Sequence, residues 1–111
     1  MRISTNKTFL DTRYGGQEVR VILAQYAGGE QALLLEDAET GEPWATVSVN
    51  LKQAPPKGCV WVKGWSENEG LFDLLVRNMV LDEKVEAEAS SGFVVVTAHR
   101  IVSGLAEDLL K

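Results

Sequence analysis

Two apolar runs meet at a pair of glycines. Residues 17–27 read QEVRVILAQYA, rich in β-branched side chains, and residues 30–37 read EQALLLED, with Gly28-Gly29 between them. Runs of this kind around a short glycine connection predict a β-hairpin, because glycine tolerates the positive φ that favoured hairpin turns require. AETGEP then supplies turn residues. PWATVSVNL alternates, with Ala45, Val47, Val49 and Leu51 on one face and Trp44, Thr46, Ser48 and Asn50 on the other. That period of two predicts a half-buried strand with its polar face toward solvent or a partner. A three-strand meander is the expected result.

KQAPPKG must be a loop, since Pro55 and Pro56 lack backbone donors and would break a ladder or a helix interior. CVWVKGW predicts a fourth strand, with Val60 and Val62 on one face, Cys59, Trp61 and Lys63 on the other, and Gly64 allowing a bend. A helix is expected over residues 66–81. Ser66 and Glu69 have capping-box spacing, and Glu67 and Glu69 suit the positive end of a helix. Leu71, Leu74, Leu75 and Met79 form its core stripe, widened by Phe72, Val76 and Val80, so the helix should be covered on two sides. DEKVEAEASSG reads as a polar, mobile segment. GFVVVTAHRIV reads as a last strand whose three valines suit a central, doubly covered position, and the tail SGLAEDLLK could add one helical turn or fray. The fold expected is α+β: one domain over residues 1–111, with a mainly antiparallel, twisted sheet of five or six strands and one main helix on one face.

Charge narrows the function. Of the net −5, residues 66–91 account for all, with seven acids against two bases, and Glu36, Asp37, Glu39 and Glu42 form a second acidic group. Direct binding to nucleic acid normally uses a basic stripe that displaces condensed counterions, and none is present. The start of the chain has no apolar core of signal-peptide length, and no run approaches the roughly 20 apolar residues of a membrane span. A cytoplasmic location and no membrane association are expected. A single Cys59 and a single His99 allow neither an internal disulfide nor an all-Cys/His zinc site.

Motifs for catalysis are sparse. His99 is the only candidate base for serine hydrolysis, and the chain has no G-x-S-x-G elbow. Cys59 and His99 could form a thiol dyad if their strands juxtapose them, or Cys59 could be a small core residue. Glu67, Glu69 and Asp73 could act as general acids or hold a divalent cation, while capping and dipole complementarity also account for the two glutamates. DAETGEP lacks the calcium-loop spacing, and the glycines match no nucleotide-binding fingerprint, so no cofactor is expected. Trp44, Trp61 and Trp65 either pack in the core or form an aromatic patch of the kind enriched at binding surfaces.

GEPWATVSVNL, VWVKGWSENEGLFDLLVRNMVL and SSGFVVVTAHRI together resemble the bacterial family known as domain of unknown function 4313. The similarity spans residues 18–101, and its most specific piece is SENEGL, residues 66–71, after a strand ending in an aromatic residue. The resemblance implies a short, soluble protein of a plasmid, phage or other mobile element. It carries over no catalytic residue.

The expectation is therefore a small non-enzymatic module that binds another protein as an accessory of such an element. Its candidate partner surface is Trp44, Trp61, Trp65, Glu67, Glu69 and Asp73. One alternative is an acidic mimic of nucleic-acid phosphate that inhibits a host defence nuclease, of anti-CRISPR or anti-restriction type, whose docking would weaken with salt. The other is a metal-dependent enzyme using the carboxylates of Glu67, Glu69 and Asp73. A symmetric homodimer through an exposed strand edge is compatible with all three.

Overall fold

The expected hairpin is present, and it organises one of two sheets. The structure, a computed structural model, describes residues 2–64 and 68–102. Strands β2 (Gln17–Gln25) and β3 (Gln31–Asp37) pair antiparallel from Val19↔Asp37 to Gln25↔Gln31. Their loop is Ala27-Gly28-Gly29, one residue longer than the glycine pair. The Tyr26 amide closes it on the Glu30 carbonyl at 2.8 Å, and only Gly29 takes a positive φ, 93°. Three-residue hairpins commonly end on such a left-handed residue.

A strand absent from the sequence reading flanks this hairpin. β1 (Arg2–Asp11) pairs antiparallel with β2, but three residues, Thr5, Asn6 and Lys7, stand opposite Val21 alone. That bulge interrupts the alternation by which a strand is recognised. Thr5 repairs the ladder from within: its buried hydroxyl donates to the Val21 carbonyl at 2.8 Å and accepts from the Lys7 amide at 3.0 Å. β4 (Pro43–Thr46) adds to the far side of β3, giving the order β1-β2-β3-β4.

The alternation expected over residues 44–51 fails at Ser48, which is buried rather than turned to solvent. Its Oγ accepts the Leu33 amide at 2.9 Å and lies 2.8 Å from the Tyr26 hydroxyl. Here the chain leaves the first sheet and touches the second. The Val47 amide donates to the Leu33 carbonyl, the Lys63 amide to the Val47 carbonyl, and Ser48 bridges Val62. Val47 consequently enters one apolar cluster while Val49 and Leu51 pack against another.

The second sheet has the order β5-β7-β6, all antiparallel, from β5 (Cys59–Val62), β6 (Ala87–Ser91) and β7 (Val94–Arg100). Among the described residues the protein thus has seven strands in two sheets, where one sheet of five or six was expected. A reason lies in the helix, α1 (Leu71–Arg77). Seven residues make a rod of about 10 Å, whereas six strands at about 4.8 Å spacing are more than twice as wide. Two sheets sharing one core solve the coverage. That core takes Val19, Val21, Leu33 and Leu35 from the first sheet, Val60 and Val62 from the second, and Leu71, Leu74 and Leu75 from α1. Each such leucine contributes about 2 kcal/mol over an exposed one.

The helix departs from expectation at both ends. Its N-cap is Gly70, in left-handed conformation and with no side-chain cap, so the Ser66–Glu69 box does not start it; Ser66 lies outside the described residues. At the other end Asn78 is the C-cap, Met79 takes φ 63°, and the Met79 and Val80 amides donate to the Val76 and Leu75 carbonyls. This is the Schellman pattern. It swings Met79 out of the core stripe to 63% exposure.

The segment read as polar and mobile contains β6, and β7 is central, as the three valines suggested. It is not doubly covered: Val96 is buried but Val95 remains 63% exposed. The tail, read as a helical turn or a frayed end, lies outside the described residues. No helix among the described residues is long and apolar enough to cross a membrane.

Candidate binding groove

The face of the second sheet turned toward α1 is only partly covered by it. Register places Val62 opposite Thr97 and Val60 opposite His99, so these four side chains share that face. Phe72 of α1 lies against the His99 ring, with centroids 4.4 Å apart and planes at 49°. Beside Phe72 a groove of about 420 Å³ opens, lined by Val62 of β5, Phe72 of α1, Val94, Val95, Thr97 and His99 of β7, and Glu83 and Val85 of the segment before β6. Val95 and Val85 are 63% and 47% exposed, and Phe93, beside Val94, is fully exposed at the tip of the β6–β7 hairpin.

His99, at 3% exposure, is held at both ring nitrogens. Nδ1 lies 3.0 Å from the Asp82 carbonyl and Nε2 2.8 Å from Thr97 Oγ1. A carbonyl oxygen can only accept, so Nδ1 carries the hydrogen, and in the neutral ring Nε2 then accepts from the threonine hydroxyl. The imidazole is a polar strut on the groove floor. Cys59 cannot join it in a dyad, because Cys59 pairs with Arg100 and points to the opposite face, among Trp61, Val96 and Ala98. Burial pushes the Cys59 thiol up, nearby Glu86 adds to this, and Arg100 only partly opposes it.

The residues expected to form a partner surface are scattered. Trp61 is 2% exposed and donates its indole N–H to the Gln53 carbonyl at 2.8 Å, so it is core under the proline loop and offers no surface. Trp44 is half-buried against the main core and donates to Asp11 Oδ2 at 2.8 Å. Trp65 and Glu67 lie outside the described residues. Glu69 and Asp73 are exposed, and among the described residues no three His, Cys, Asp or Glu side chains gather as a metal site requires.

Around Trp44 a smaller cleft of about 250 Å³ is lined by Arg13, Tyr14, Trp44 and Ala45. Beneath it Asp11, wholly buried, binds Arg13 through both oxygens, at 2.9 Å to Nε and 2.7 Å to Nη2. Burial works to raise the Asp11 carboxyl, but the bonds from the Arg13 side chain, the Trp44 indole and the Arg13 amide outweigh it and hold the group below its ordinary value. The same bond raises Arg13. Arg13 also reaches the Glu69 carbonyl at 3.3 Å and stacks over Tyr14, 4.9 Å from the ring centre. This cluster ties the end of β1 to β4 and to the approach of α1.

Sequence reasoning missed the groove residues Val85, Val94 and Val95. The available signal was VVV itself: three consecutive apolar residues in a strand place one on each face in turn, and something must cover both faces or leave an apolar side chain in water. No family model, curated protein or solved structure matches the chain.

Proposed function

We propose that this chain is a non-enzymatic protein-binding module that seats a segment of another protein in the groove between α1 and β7. The observation that carries the reading is the exposed apolar lining of this concavity, Val85 and Val95 beside the more buried Val62 and Phe72. Filling it removes apolar surface from water, and a few placed polar groups, here Thr97 and His99, orient what enters. A catalytic reading has less support, because both His99 nitrogens are already engaged and Cys59 faces away. The resemblance over residues 18–101 extends the proposal to an accessory protein of a mobile element.

The test is selection of random displayed peptides on the purified native chain, with affinities then measured on Val95→Asp. Val95 is largely exposed, so the substitution should leave the melting transition nearly unchanged. Selected peptides should bind the variant at least about tenfold more weakly, a loss of about 1.4 kcal/mol. Peptides held equally well by both proteins, or no enrichment at all, would remove the groove from consideration.

A further inference from the structure

We infer that the occupant of this groove is a cationic segment with an apolar anchor, a refinement that rests on the binding-module reading above. The lining is apolar, but its margin is acidic. Glu83 lines the groove directly. Glu88 stands opposite Thr97 in the β6–β7 register and so projects from the same face of the sheet. Asp82 precedes Glu83 in the same segment, and Asp73 follows Phe72 on the helix.

Bases offset this margin only in part: Arg77 stands one helical turn from Asp73. Lys84, the one base in residues 82–88, lies 4.0 Å from Glu86 and answers that carboxylate. Four acids against one base leave the wall and adjoining strand at −3. Screening acts over about 8 Å at physiological ionic strength, so an incoming chain feels these carboxylates at short range.

The sign of that field selects among occupants. A second copy placed on the same face would bring two acidic margins together, and a neutral apolar segment would bury or crowd carboxylates without answering them. Lysine or arginine flanking a buried leucine, valine or phenylalanine satisfies both parts of the surface at once. The aliphatic stems of such bases also cover apolar wall while their charged ends remain wet. The apolar anchor supplies the burial, and the basic flanks supply encounter rate and register.

The experiment uses the full native chain and two synthetic peptides with the same Leu-Val-Phe centre, one flanked by lysines and the other by glutamates. Binding is followed by amide chemical shifts at Val85, Val95 and Thr97, and by titration at low and physiological salt. The lysine peptide should bind about tenfold or more tightly than the glutamate peptide, and the difference should shrink as salt rises. Glu83→Lys with Glu88→Lys should reverse the preference, while Val85→Ser should weaken both peptides. Equal affinity of the two peptides, shifts confined to residues outside the groove, or no binding by either would overturn the inference. Concentration-dependent dimerisation abolished by Val95→Asp would overturn it in favour of a second copy. The display selection decides the underlying reading separately: enriched peptides that need Val95 but show no basic bias would retain the module and remove only the cationic partner.

Discussion

Trp44 and Asp11 sit on the two outer strands of one four-stranded sheet, yet the indole Nε1–H donates to the carboxylate at 2.8 Å. Three strand spacings separate them, about 14 Å in a flat sheet, and side chains stand perpendicular to a sheet. The contact therefore requires the sheet to curl enough for these two side chains to reach each other across it. Asp11→Ala would remove the carboxylate that the Arg13 guanidinium and the Trp44 indole share, and should cost about 3 kcal/mol in urea unfolding. Trp44→Phe, which removes one donor and keeps most of the ring, should cost about 1 kcal/mol.

Acid should release the same lock. Because folding lowers the Asp11 pKa, its contribution is fully present above the unfolded value of 3.8 and is lost as pH falls through the lower folded value. The difference in unfolding free energy between the wild type and Asp11→Asn should be level near neutrality and narrow below that value. A difference that stays constant down through the acid range would show that the carboxylate charge contributes nothing.

Asn68 is 1% exposed and donates through Nδ2 to the Thr46 carbonyl at 2.7 Å and the Lys63 carbonyl at 3.0 Å, joining the end of β4 to the chain after β5. Among the described residues its Oδ1 has no hydrogen-bond partner. An aspartate here would aim a charged acceptor at two carbonyl oxygens. Asn68→Asp should therefore be more destabilising than Asn68→Ala, by about 2 kcal/mol or more at neutral pH, and the gap should close in acid. Thermal melts of the two variants across pH decide it.

Met79 is the one non-glycine residue with positive φ among those described, and its side chain is largely exposed. The Schellman turn uses only its backbone, so glycine there removes Cβ strain and little packing. Met79→Gly should raise stability by about 1 kcal/mol, read as a higher urea midpoint with unchanged slope. A lower midpoint would mean that the methionine side chain contributes more than the strain costs.

Cys59 should be inert in the native protein. Burial raises its thiol pKa and 2% exposure denies access to reagents. A disulfide-exchange reagent at neutral pH should titrate no thiol until denaturant is added. Rapid native labelling would place Cys59 in contact with solvent, against the packing around Trp61.

The sequence alone determined what lies close along the chain. Alternation separated Val60 and Val62 from Cys59 and Trp61, and those pairs do face different clusters. Gly28-Gly29 marked the hairpin, Pro55-Pro56 marked a loop, and Leu71, Leu74 and Leu75 marked the buried side of the helix. Periodicity can show these things because it reports which residues share a face. It does not report what covers that face. β1 is a strand because β2 pairs with it across a bulge, and Ser48 is buried because two sheets meet there. Met79 turns outward because the helix ends two residues earlier, and Val95 is exposed because a seven-residue helix is too short to reach it. The groove belongs to this second group, since its walls come from β5, α1, the segment before β6, and β7. Only the balance of coverage among elements distant in the chain decided which apolar side chains stayed in water.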